Sequence, residues 1–138
     1  MPAKDKIHDA IKNALIKQEW KITADPYTLR YGDEEVHIDL AAERLLAAEK
    51  DGEKIAVEIK SFVGRSRVHD LEVAVGQYGV YAGILAEMEP DRKFYLAVGE
   101  AVYDKLVEMK MFTLIVKRYQ IALIVASLVE EKIIRPPA

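Results

Sequence analysis

No cysteine occurs anywhere in the 138 residues. Disulfides, thiolate zinc sites and cysteine nucleophiles are therefore excluded outright. Long apolar runs are missing as well. The stretch "QIALIVASLV" (120–129) is about half the ~20 residues a membrane span needs, and it reads as a buried strand. The opening "MPAKDKIHDAIKNAL" is charged and amphipathic, without the apolar centre of a secretory signal. A cytoplasmic protein with no membrane association is the expectation. There is no Gly-rich phosphate loop, internal repeat, low-complexity segment or Pro/Gly/Ser linker, so the chain reads as a single domain over 1–138. Positive charge is also in short supply. Twenty Lys and Arg stand against 23 Asp and Glu, net −3, which excludes a general polyanion binder and leaves only local basic patches for that task.

What is present suits an ordinary globular protein: 51% hydrophobic and 31% charged residues, in a chain long enough to bury a core without staples. Ile7, Ile11, Ala14 and Leu15 recur at helical spacing and predict a helix over 4–18. Short strands follow near 20–24, 27–31 and 35–40, punctuated by Pro26 and Gly32-Asp33. Asp51-Gly52 between two apolar runs is a hairpin signal, pairing 44–50 antiparallel with 54–61. "VGRSR" is a loop. Residues 70–88 carry a helical stripe expected to be buried (Leu71, Ala74, Val75, Tyr78, Ala82, Leu85, Met88), with Asp70 as N-cap. A strand at 93–98, a helix at 100–112, a strand at 120–126 and an edge strand in "EEKIIRPPA" complete the chain. The order predicts an α/β (α+β) fold with a mixed central sheet flanked by helices, and disfavours a simple doubly wound nucleotide fold.

One strand carries an anomaly. "KIAVEIKSF" (54–62) places Glu58 and Lys60 two residues apart in its most β-prone stretch, hence on one side. That side is either solvent or the floor of a site. Asp39, ending "VHIDL", supplies a second carboxylate in a D-x18-E-x-K arrangement. Two carboxylates, with the Ile59 carbonyl between Glu58 and Lys60, suit Mg²⁺ or Mn²⁺, which take few protein oxygens and keep several waters. A lysine beside them can position or deprotonate an attacking water, and the cation can stabilise charge on a phosphodiester. Pairing about Asp51-Gly52 puts Glu58 opposite roughly residue 47, so Asp39 reaches it only if "LAAER" bends; Glu43 or Glu49 are the alternatives. Gln77 and Tyr81 lie four apart on one face of the following helix, where a buried Gln needs a polar partner. His8 and Asp9 on the first helix either lie on a solvated helix face, the commoner case, or add to the site. Arg65 and Arg67, with Lys60 and His69, form a local basic cluster that either faces solvent or contacts phosphate.

The run from "VHIDLAAERLLAAEKDGEKIAVEIKSF" through "VGRSRVHDLEVAVGQYGVYAGILAEMEPDRKFYLAV" resembles the XisH-type family, the cyanobacterial fdxN element excision-controlling factors. The likeness is dense over about 4–110 and looser beyond. That family in turn resembles the PD-(D/E)XK nuclease superfamily, which implies a restriction-endonuclease-like core and metal-dependent cleavage of DNA. On that resemblance the first acidic position falls on Asp39, the (D/E)-x-K on Glu58 and Lys60, and the Q-x-x-x-Y of the RecB-like branch on Gln77 and Tyr81. Two departures stand out: Ile38 replaces the proline before Asp39, and the first helix lacks a clear glutamate, with His8 or Asp9 in its place. The resemblance also implies a small companion excision factor of the XisI type. The short chain leaves little surface for base readout, so specificity is expected from a homodimer or that partner.

Overall fold

The computed structural model describes residues 3–44 and 52–135. Helix α1 (Ala3–Lys17) forms on the predicted stripe, with Ile11, Ala14 and Leu15 fully buried. Strand β1 (Lys21–Ala24) leads into a separate hairpin, β2 (Tyr27–Tyr31) and β3 (Glu34–Ile38), turned at Gly32 with φ +64°. The remaining elements are β4 (Leu40–Arg44), β5 (Glu53–Ile59), α2 (Arg67–Met88), β6 (Arg92–Gly99), α3 (Glu100–Leu106), α4 (Lys110–Arg118), β7 (Leu123–Ser127) and β8 (Lys132–Arg135).

Six strands form one mixed sheet in the order β1-β4-β5-β6-β7-β8. The central β5-β6-β7 pairs are parallel, joined through α2 and through α3–α4, while the outer pairs are antiparallel. Side chains alternate between two cores. Leu40, Ala42, Ile55, Val57, Tyr95, Ala97, Ile124 and Ala126 face α1. On the other side, Leu96, Val98 and Val125 pack against α2, α3 and α4, and Ala56 and Phe94 against α2 and the β2–β3 hairpin. The fold is therefore mixed α/β of the α+β kind, as the order of elements implies. Strand β5 is buried on both faces, so any charge on it needs a partner.

Met88, expected in the buried stripe, is 43% exposed because it is the last residue of α2, beyond the sheet-covering turns. Four expectations about the elements are also corrected. The 44–50/54–61 pairing keeps its antiparallel sense but not its register: Leu40 opposes Val57 and Arg44 opposes Glu53, far from a two-residue turn at Asp51-Gly52. Burying Leu40 and Ala42 beside Ile55 and Val57 sets that register, because a slip of one residue would turn them to the wrong face. Residues 45–51 lie outside the described residues. The run 35–40 is not one strand; it breaks at Asp39 between the hairpin and the main sheet. The helix over 100–112 is two, because Val107 and Met109 end the first and begin the second. Ser66, not Asp70, caps α2 by accepting the His69 N–H at 3.1 Å.

Buried Arg92 ties the start of β6 to its surroundings. It donates to the Ile55 carbonyl at 3.0 Å, reaches Glu89 at 3.1 Å and Glu43 at 3.4 Å, and lies over the Tyr27 ring. Arg92→Met should lower the free energy of unfolding by roughly 2–4 kcal/mol, because a carbonyl and two acids lose their donor. Urea denaturation of both proteins checks this.

Candidate functional site

The break at Asp39 and the observed register decide the site. One residue beyond the Leu40–Val57 pair, Asp39 stands opposite Glu58. Each carboxylate then accepts an N–H from the other strand. The Asp39 N–H donates to Glu58 Oε1 at 3.2 Å, and the Ile59 N–H donates to Asp39 Oδ2 at 2.7 Å. Lys60 is fixed by its backbone, whose N–H donates to the Ala97 carbonyl at 3.0 Å, prolonging the β5–β6 pairing. Its Nζ stands 3.5 Å from Glu58 Oε2. Asp39, Glu58, Ile59 and Lys60 border one open hollow of about 200 Å³, closed on the α1 side by Ile7. The anomaly in "KIAVEIKSF" is resolved. Glu58 is 7% exposed and lines the floor of this hollow, not a wetted strand face.

The cost of that placement shows in its proton affinity. Burial, then the nearby Asp39 charge, push the Glu58 carboxyl from 4.5 up to about 7, against the opposing pull of Lys60. Burial and the same two carboxylates raise the Tyr81 phenol as well, which sets Tyr81 within their field. Tyr81 packs edge-on against Phe94, with ring centres 6.0 Å apart. Gln77, one turn earlier, is partly buried, and its Oε1 is fully enclosed without a hydrogen-bond partner among the described residues. A buried amide oxygen left unpaired is costly, so the position is not that of a solvated surface Gln.

Other candidates fall elsewhere. His8 Nε2 lies 2.8 Å from Asp25, which also binds Lys12, and Asp9 is exposed, so the first helix brings neither to the carboxylates. Glu43 is four residues along β4 and pairs with Arg92. Glu49 lies outside the described residues. Arg65, on the loop leaving the site, and Arg67, the first residue of α2, are exposed, and among the described residues neither forms an ion pair.

A family model described as XisH protein matches residues 1–134. The chain belongs to the XisH family. Two solved structures agree with that membership. An XisH family protein from Nostoc punctiforme PCC 73102 is 33% identical, with 95% of this chain and 98% of that one covered and a TM-score of 0.86. An fdxN element excision controlling factor protein from Anabaena variabilis is 35% identical, with 95% and 97% covered and a TM-score of 0.84. No curated protein matches this XisH chain.

The XisH chain also holds site residues that its sequence did not single out. Ser61 borders both the carboxylate hollow and a neighbouring one of about 290 Å³ that shares Lys60. Phe62 turns the chain there with φ 53° while burying its ring, a left-handed conformation that no periodicity signals. Gly64 then donates its N–H to Asp70 Oδ2 at 2.9 Å, and a Cβ on it would meet that carboxylate at 2.5 Å. The loop is thus pinned onto the first turn of α2. Two converging carboxylates that repel each other fit a small hard cation, which needs only one or two of them. Among the described residues no third Asp, Glu or His joins them.

The proton held by Glu58 makes stability depend on pH. The native state keeps it from pH 4.5 to about 7, while the unfolded chain gives it up, so this group's contribution falls as pH rises through that window. Glu58→Gln should therefore gain about 1–3 kcal/mol over wild type above pH ~7, screening setting the lower end, and nothing below pH ~4.5. Denaturation in EDTA at a series of pH values measures the difference.

Proposed function

We propose that this XisH-family chain acts in the excision of a DNA element as a Mg²⁺- or Mn²⁺-dependent endonuclease of the PD-(D/E)XK type, hydrolysing phosphodiester bonds. One observation carries the reading: Asp39, Glu58 and Lys60, separated by up to 21 residues in sequence, border one hollow, with the Glu58 carboxylate held by the Asp39 N–H and the Asp39 carboxylate by the Ile59 N–H. Excision enters from the relatives, one of which is an fdxN element excision controlling factor. Asp39 and Glu58, with the Ile59 carbonyl, would hold the cation. When bound, it supplies positive charge against the phosphate under attack.

The chain's own groups supply the rest. Lys60 presents an N–H donor beside Glu58 and orients the attacking water in line with the leaving oxygen. Tyr81 and the unpaired Gln77 amide stand on α2, where they orient the carboxylates and the water from the side opposite α1. Arg65 and Arg67, exposed and without ion-pair partners among the described residues, take the DNA backbone. Sequence choice rests with a second copy or a companion factor of the XisI type, since base readout needs an element that enters a groove.

Lys60→Ala should abolish cleavage, by roughly 10²–10⁴-fold, while fold and cation affinity stay near wild type, because an ammonium does not ligate Mg²⁺. Glu58→Ala should lose both. Calorimetric titration with Mg²⁺ and Mn²⁺, beside cleavage assays on duplex, branched and single-stranded DNA with and without EDTA, separates the roles. A wild type that binds no divalent cation at millimolar concentration, with or without DNA, overturns the nuclease reading in favour of a non-catalytic accessory protein that keeps the fold and binds DNA or a partner.

Charge reversal of Arg65 and Arg67 to Glu should weaken DNA binding about equally on all sequences and flatten its salt dependence by about one unit of slope per lost phosphate contact. Titrations at several salt concentrations read this, and an unchanged slope removes both arginines from the phosphate path.

A further inference from the structure

Among the described residues, none packs on the outer face of α2. At 100° per residue, His69, Val73, Gly76, Val80, Gly83 and Glu87 fall within an arc of about 80°. Buried Leu71, Ala74 and Leu85 lie on the opposite side. All six outer residues are exposed, Val73 by 42% and Val80 by 55%. Glycine inside a helix costs roughly 0.5–1 kcal/mol against alanine. Helix α2 carries Gly76, Gly79 and Gly83, and apart from the helix's own backbone and the adjacent residues no atom of the described residues lies within 4 Å of where their Cβ atoms would stand. Packing among the described residues gives no reason for these missing side chains. A second surface approaching the face does.

The order of residues says which surface. From His69 to Glu87 the outer positions are spaced alternately four and three apart, the spacing of a helix-pairing seam. Reversed end for end, the series complements itself. Laid antiparallel about Tyr78, His69 meets Glu87, Val73 meets Gly83, and Gly76 meets Val80. Each valine stands over the place a glycine leaves empty, and each end pairs a base with an acid. The two helix dipoles also oppose one another, which is their attractive arrangement. A partner of different sequence would need no such reversal symmetry.

We propose that this face binds a second copy of the chain in an isologous, antiparallel α2–α2 pair centred on Tyr78. The pair stands independently of any cleavage activity. It gives the dimer expected from the sequence a definite surface. His69 and Val73 also border the hollow beside Lys60. The partner's last turn of α2 therefore stands at its rim, and the two hollows lie at opposite ends of the paired helices.

Sedimentation equilibrium of the whole chain over about a hundredfold range of concentration should show a monomer–dimer equilibrium, with Val80→Lys weakening it by about 10²-fold or more. Circular dichroism and urea denaturation establish that Val80→Lys is folded. His69→Asp and Glu87→Lys should each weaken dimerisation about tenfold, and the double variant should restore it to within about threefold, since the exchanged charges again oppose each other. Register is read by disulfides, because the chain has no cysteine of its own. Val73→Cys mixed with Gly83→Cys should cross-link under mild oxidation, whereas Val73→Cys alone should not, its two copies being about 15 Å apart along the seam. A monomer at every concentration, a dimer indifferent to Val80→Lys, or cross-linking of Val73→Cys with itself would each overturn the proposal.

Discussion

The Asp39 and Glu58 carboxylates are held by backbone N–H groups of the facing strand ends, those of Ile59 and Asp39, and the remainder of the site follows from that exchange. Where a pair of strands would continue its ladder with carbonyl acceptors, β4 and β5 use two carboxylates instead. The substitution satisfies two N–H groups at the end of the sheet. It also forces two acids together in a place where burial alone would already resist charge. The raised Glu58 carboxyl is the direct result. Lys60 offsets part of the repulsion from 3.5 Å, and a divalent cation would offset more.

This arrangement needs rigid support, and the two cores supply it from opposite sides. The β5 residues Ile55 and Val57 anchor the strand in the α1 core, while Ala56 sits under α2 and the β2–β3 hairpin. Glu58 emerges on the α2 side, by alternation from Ala56, and there meets the field shared with Tyr81. The loop after Lys60 could have left the site floppy. Instead Phe62 is buried in the α2–α4 core, and Gly64 is bonded to Asp70. Helix α2 thus borders the site with its first turn, covers the sheet with its inner face, and leaves its outer face exposed.

Much of the fold was legible because its signals are local. The α1 and α2 stripes recur at helical spacing, although the cap of α2 is Ser66 and not Asp70. Gly32 marks the hairpin turn. Glu58 and Lys60 had to share one side of a strand whatever the strand paired with, since that geometry depends only on the alternation of side chains. Gln77 and Tyr81 had to share a helix face for the same kind of reason. The split of 100–112 into α3 and α4 was hidden because both halves are amphipathic and nothing as strong as proline divides them.

The sequence by itself determined which residues could act together within one element: Glu58 with Lys60, Gln77 with Tyr81, and the outer positions of α2 with one another. Only the tertiary structure decided that Asp39 joins them and that Glu43 and His8 do not. The register of β4 on β5 made that choice. It is set by the burial of Leu40 and Ala42 beside Ile55 and Val57, a demand of the whole core, and it outweighs the local turn signal at Asp51-Gly52. Short-range spacing fixes which side chains share a face. Which faces meet depends on apolar surface contributed by strands distant in the chain, and no window of sequence contains that sum.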